Sequence, residues 1–95
     1  MDIINKIESF AADIYFKLPN ELNQDFINIC QLIAEFYDEN FSENIDNMNQ
    51  KNRLLTFLLQ AMETRDYIKM ADVLLYTVKP VIKELVKLEH SDVNN

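Results

Sequence analysis

The sequence predicts an all-α protein, an antiparallel four-helix bundle, and three observations predict it. The chain of 95 residues contains no glycine. Its apolar residues recur every three or four positions in four separate segments. The breaks between those segments are short and carry Pro, Asn, Asp and Ser. Sheets and tight turns draw on glycine for positive φ, so its absence directs the chain toward helices joined by short polar loops.

The first helix is expected at about residues 2–18, on a stripe of Ile3, Ile7, Phe10, Ile14 and Leu18. Pro19 disfavours helical geometry at Leu18 and ends it. The second is expected at about 20–38, with Asn20 as N-cap and Glu21 complementing the helix dipole. It carries Leu22, Phe26, Ile29, Ile33 and Phe36, with Cys30 and Tyr37 at the margins of the stripe.

The third helix is expected at about 42–64, capped by Ser42 with Glu43 just inside. Its seam reads Ile45, Met48, Asn52, Leu55, Leu59, Met62, alternating three and four residues. Leu54, Phe57 and Leu58 make its second half apolar over most of the circumference, which places that half at the centre of the bundle. "ETRD" is then a short connector, with Asp66 or Thr64 capping a fourth helix at about 66–88. So tight a link makes helices three and four antiparallel neighbours. The fourth seam reads Ile68, Ala71, Leu75, Val78, Ile82 and Leu85, and residues 89–95 are expected to fray as a polar tail. The whole chain, 1–95, reads as a single domain.

Three features break the pattern. Pro80 sits inside the fourth helix, where it removes the hydrogen bond to the Tyr76 carbonyl and predicts a kink. The bend either lets the helix wrap its neighbours or splays its C-terminal half to open a groove. Asn52 is polar within an apolar seam; such a residue either fixes register and oligomer state or marks a partly exposed position. Asp72 and Tyr76 lie four apart on one helical face. A carboxylate there can accept from a tyrosine hydroxyl, Tyr76, Tyr67 or Tyr15, as a buried tether or as a ligand contact.

Composition excludes several functions. The formal charge is −7 with no offsetting Lys/Arg cluster, which disfavours nucleic acid and anionic membrane surfaces as partners. No apolar run approaches the roughly 18 residues that span a bilayer. The start "MDIINKIESF" has no cleavable apolar region, so no secretion signal is expected. The single cysteine, Cys30, excludes an intramolecular disulfide and suits a reducing cytoplasm. It reads as a small core hydrophobe rather than a nucleophile, since no basic residue lies near it in sequence. His90 is the only histidine, and His and Cys together number too few for a zinc site. Without glycine there is no phosphate-cradling loop. No catalytic residue, metal ligand or cofactor is expected, and the chain reads as a non-enzyme.

The stretch "LLQAMETRDYIKMADVLLYTVKPVIKEL", Leu58 to Leu85, carries Asp66-Tyr67, Ala71-Asp72, Leu74, Tyr76 and Pro80 in a spaced series. In this it resembles a helical hairpin of small uncharacterised all-helical bacterial proteins. The resemblance implies that Asp66, Tyr67, Asp72, Tyr76 and Pro80 act as one structural unit, and it transfers no activity. Where many such hairpins have an acid after the tyrosine, this chain has Thr77.

The leading functional expectation is a protein-interaction module that binds a partner protein or itself. In size, acidity and helical content the chain is similar to bacterial secretion and flagellar-export chaperones, so a chaperone or adaptor is the concrete form. Self-association as a homodimer is expected, through apolar leftovers such as Phe41, Phe57 or Val86. One alternative is an acidic inhibitor that imitates nucleic acid, its densest run being Asp38, Glu39, Glu43 and Asp46. Another is a small-molecule binder with an inter-helix pocket lined by Tyr15, Tyr67, Asp72 and Tyr76.

Overall fold

A computed structural model describes residues 2–93, with side chains for residues 2–87. It is an all-α helical bundle: α1 (Asp2–Asp13), α2 (Pro19–Phe41), α3 (Ile45–Glu63) and a last rod of three joined parts. Those parts are α4 (Tyr67–Val73), a π-helical turn (Leu74–Val78) and α5 (Lys79–Val93). α2 packs between α1 and α3, α3 packs on α4, and α1 closes the bundle against α4, the π-turn and α5.

The first helix stops at Asp13, short of the expected 18. Phe16 and Lys17 both donate their N–H to the Asp13 carbonyl, at 2.9 and 3.0 Å, closing a turn. Leu18 is extended (φ −71°, ψ 153°), as a residue before proline should be, and it lies exposed with Tyr15 and Phe16 rather than in the core. α2 therefore starts at Pro19, where the missing N–H is one that a helix leaves unbonded in any case. Leu18, not Asn20, occupies the N-cap position, and no side chain caps it.

α2 also runs past the expected 38 to Phe41, so Ser42 closes α2 instead of opening α3. Asn44 takes the capping role, accepting at Oδ1 from the Asn47 N–H at 3.0 Å. Asp66, not Thr64, caps the last rod, its Oδ1 accepting from the Lys69 N–H at 3.1 Å. Between α3 and α4 the chain needs a left-handed residue, and without glycine Arg65 supplies it at φ 56°. Its N–H donates to the Met62 carbonyl at 3.0 Å, against a cost of about 1–2 kcal/mol for that backbone region. α5 continues past 88 to Val93, so its backbone is helical through most of the expected tail. Residues 94–95 and the His90 side chain lie outside the described residues.

One apolar core joins all four rods. α1 contributes Ile3, Ile7 and Phe10; α2 contributes Leu22, Phe26, Ile29, Ile33, Phe36 and Tyr37. α3 buries Leu54, Leu58 and Ala61, and the last rod buries Met70, Ala71, Leu74, Val78, Ile82 and Leu85. No buried side-chain nitrogen or oxygen lacks a partner among the described residues.

The bend in the last rod has a local cause. The Lys79 N–H donates to the Leu74 carbonyl, five residues back, so the helix widens one turn before Pro80. That widening eases the proline ring away from the carbonyl it would otherwise strike. It also sets the register. Two successive four-residue steps drift by about 40° each on an ordinary α-helix, yet Leu74, Val78 and Ile82 are all fully buried. A wider turn absorbs the drift and keeps all three on the core. Leu75, expected in the seam, is half-buried as a result, and Ile68 is exposed. Pro80 faces solvent.

Candidate interaction face

Four leucines in α3, at 54, 55, 58 and 59, belong to two overlapping stripes about 100° apart. Neighbours on both sides decide which one turns inward. Ala61 of α3 and Ala71 of α4 are both buried, and two such small side chains let these helices approach closely. The core thus takes Leu54, Leu58 and Ala61. The longer stripe of Ile45, Met48, Asn52, Leu55, Leu59 and Met62, expected to be the seam, is turned toward the flank. Ile45 is 72% and Leu59 52% exposed, Asn52 is exposed, and Met48, Leu55 and Met62 are half-buried.

This flank meets an apolar margin of α2. Ile27, Cys30, Gln31, Ala34, Leu55, Leu59 and Met62 line a groove of about 270 Å³ between the two helices. No carboxylate, ammonium or guanidinium lines it, on a chain whose formal charge is −7. Burial pushes the Cys30 thiol up to about 11, so it stays neutral and poorly reactive at pH 7.

The α2–α3 hairpin that carries the groove is locked by two adjacent polar links. Tyr37, expected at a margin, is wholly buried, and its hydroxyl donates to Gln50 Oε1 at 2.6 Å. Beside it the Lys51 ammonium meets Asp38 Oδ1 at 2.8 Å. The Phe41 ring rests against Phe36 and Tyr37, with centroids 5.8 and 6.2 Å away, so Phe41 belongs to this lock and not to an exposed patch.

Burial raises the Tyr37 pKa from its ordinary 10.0 to about 12. The folded chain then keeps a proton that the unfolded chain releases near pH 10. Its contribution to stability is whole below pH 10 and is lost as pH rises through 12. Cys30, raised from 9.0 to about 11, acts in the same direction a unit lower. The expected result is a melting midpoint that falls steadily between about pH 9 and 12. Tyr37→Phe should lose about 1 kcal/mol at pH 7 with the hydrogen bond, and should show a shallower alkaline fall. An unchanged alkaline fall in Tyr37→Phe contradicts the assignment.

The other singled-out residues do not assemble. Asn52 is exposed, and the polar contact of its own peptide is local, its carbonyl accepting from Thr56 Oγ1 at 2.8 Å. Asp66 is spent on its cap. The Tyr67 hydroxyl reaches α2, donating to Asn23 Oδ1 at 3.0 Å and lying 3.4 Å from the Pro19 carbonyl. Asp72 is exposed and Tyr76 is 74% exposed, so the two form no buried tether. Each follows a buried residue, Met70 and Leu74, by two positions, about 200° round the helix, and so faces solvent. Asp66, Tyr67, Asp72, Tyr76 and Pro80 thus meet different surroundings: Asp66 its cap, Tyr67 the start of α2, and Asp72, Tyr76 and Pro80 solvent. With Tyr15 75% exposed as well, Tyr15, Tyr67, Asp72 and Tyr76 enclose no pocket. A second cleft lies elsewhere, between α3 and the last rod, lined by Phe57, Gln60, Ala61, Lys69, Val73 and Thr77 and about 240 Å³ in volume.

Asp38, Glu39, Glu43 and Asp46 gather around the α2–α3 connection, at one end of the bundle, all exposed. Among the described residues no three His, Cys, Asp or Glu side chains are placed to hold a metal ion. No helix among them is long and apolar enough to cross a membrane.

The family model described as Domain of unknown function (DUF8042) matches residues 1–88, and the chain belongs to that family. No curated protein and no solved structure matches it.

Proposed function

We propose that this DUF8042 protein is a non-enzymatic interaction module of the cytoplasm, chaperone- or adaptor-like, that receives an amphipathic helix on its α2–α3 face. The observation that carries this reading is the outward stripe of α3. A six-member series in strict three-four alternation is the pattern of a helix that packs on another helix, and here it runs along the core's edge, with Ile45, Asn52 and Leu59 exposed and Met48, Leu55 and Met62 only partly buried. Helix-in-groove recognition reads such anchors at helical spacing. Cys30 and Tyr37, whose pKa values burial raises, are held neutral at pH 7; that favours packing roles over catalysis. The acids also supply exposed carboxylates on α1, α2, α3 and the last rod, so the apolar face is the more distinctive surface.

The test uses affinity capture from the source cells, followed by purification of the captured protein and direct binding. Binding should weaken by at least about a hundredfold in the Leu55→Glu/Leu59→Glu double variant, as for the loss of two anchors. It should persist in Ile68→Glu, an exposed apolar position on another helix. Equal binding by wild type and the double variant overturns the reading.

A further inference from the structure

We infer that the helix received on this face is α3 of a second copy, lying antiparallel across a two-fold axis. The inference rests on the α2–α3 face being an interaction surface and names its occupant. The stripe Ile45, Met48, Asn52, Leu55, Leu59, Met62 has steps of three, four, three, four and three residues. Read from either end the series is the same. In an antiparallel isologous pair each residue i that meets j is matched by j meeting i, and this spacing lets all six members find apolar-stripe counterparts in one register. Antiparallel pairing sets Ile45 opposite Met62, Met48 opposite Leu59, and Asn52 opposite Leu55. The two Asn52 side chains then flank the two-fold axis, offset from each other by about 4.5 Å along the helix direction at 1.5 Å rise per residue. Their amides can bond each other there, and a polar pair in an apolar seam holds the register.

Charge favours the same arrangement. Two chains of −7 repel, and contact is least costly centred on a groove that no carboxylate or basic group lines, with the Lys51–Asp38 pair at its edge. Parallel pairing brings both acidic ends together, with Glu43 and Asp46 doubled. Antiparallel pairing sends them to opposite ends, where Glu43 faces the partner copy's Glu63–Arg65 stretch, one exposed acid and one exposed base, instead of a second acidic run. The area also suffices. α2 is about 35 Å long and two adjacent helices are about 20 Å wide, a face comparable to the roughly 800 Å² per partner of a stable interface.

Sedimentation equilibrium over a range of concentrations tests this on the full chain. Wild type should sediment as twice 11.2 kDa. Leu59→Glu should weaken the dimer at least about tenfold, Ile68→Glu should leave it unchanged, and circular dichroism should show both variants helical. In a Cys30→Ala background, a mixture of Ile45→Cys and Met62→Cys chains should cross-link one to the other on mild oxidation. A wild type that is monomeric throughout, or a Leu59→Glu variant that remains dimeric, overturns the self-pairing; cross-linking of Ile45→Cys chains to themselves overturns the antiparallel register. A monomeric wild type that still binds a captured protein through Leu55 and Leu59 removes the second copy and leaves the proposed function standing.

Discussion

Phe26→Ala is expected to lower stability by about 3–5 kcal/mol, the range for removing a large aromatic side chain from a closed core. Phe26 is fully buried in α2, and its ring centroid lies 5.6 Å from that of Phe10 in α1, tilted by 51°. Each ring fills space that the backbone cannot close, and their tilted contact adds to the area they bury. A domain of this size is stable by only about 5–14 kcal/mol, so one substitution consumes a large share. Each lost kcal/mol lowers the midpoint by about 4–8 °C in a domain near this length. The melt should therefore shift down by about 12 °C or more. Phe57→Ala makes the same chemical change at a position that is 50% exposed, and it should cost less than about 1 kcal/mol. A Phe26→Ala midpoint within about 5 °C of wild type would show that α1 and α2 do not share this core.

Much of the fold is legible because helix formation depends on local properties. The lack of glycine, the breaks at Pro19 and Asp66, and the stripes of α1 and α2 all act within a turn or two of chain. Ile3, Ile7, Phe10, Leu22, Phe26, Ile29, Ile33 and Phe36 are buried as their spacing predicts. The rotation of α3 is different, because Leu54, Leu55, Leu58 and Leu59 satisfy two stripes at once. Periodicity favours the longer one, while packing favours the one that ends at Ala61. Buried alanines at 61 and 71 were the available signal, and composition alone does not distinguish a small interface residue from an exposed one.

The last rod shows a second kind of limit. Pro80 announces a disturbance, but whether a helix kinks or inserts a wide turn depends on what its neighbours demand. Here the four-residue steps Leu74–Val78–Ile82 had to stay on the core, and the π-turn meets both demands. Tyr37 illustrates a third limit: its hydroxyl is satisfied by Gln50 on another helix, a partner that only the folded hairpin brings within reach. The candidate face was legible as a pattern, since all six members of the α3 stripe were identified; its orientation was not.

That orientation is the central claim, and two neighbouring leucines of the same helix test it. Leu58 is fully buried, whereas Leu59 is half exposed. Leu58→Asp places an unpaired carboxylate in the core, a penalty of several kcal/mol in a domain of marginal stability. Leu59→Asp leaves its carboxylate in water and sacrifices only helix propensity, well under about 1 kcal/mol for folding of the single chain. The measurement is the far-ultraviolet circular dichroism melt of the two variants side by side. Leu59→Asp should keep its helical signal and a cooperative transition, while Leu58→Asp should lose both. A folded Leu58→Asp beside an unfolded Leu59→Asp would turn α3 around, bury the outward stripe and contradict the account.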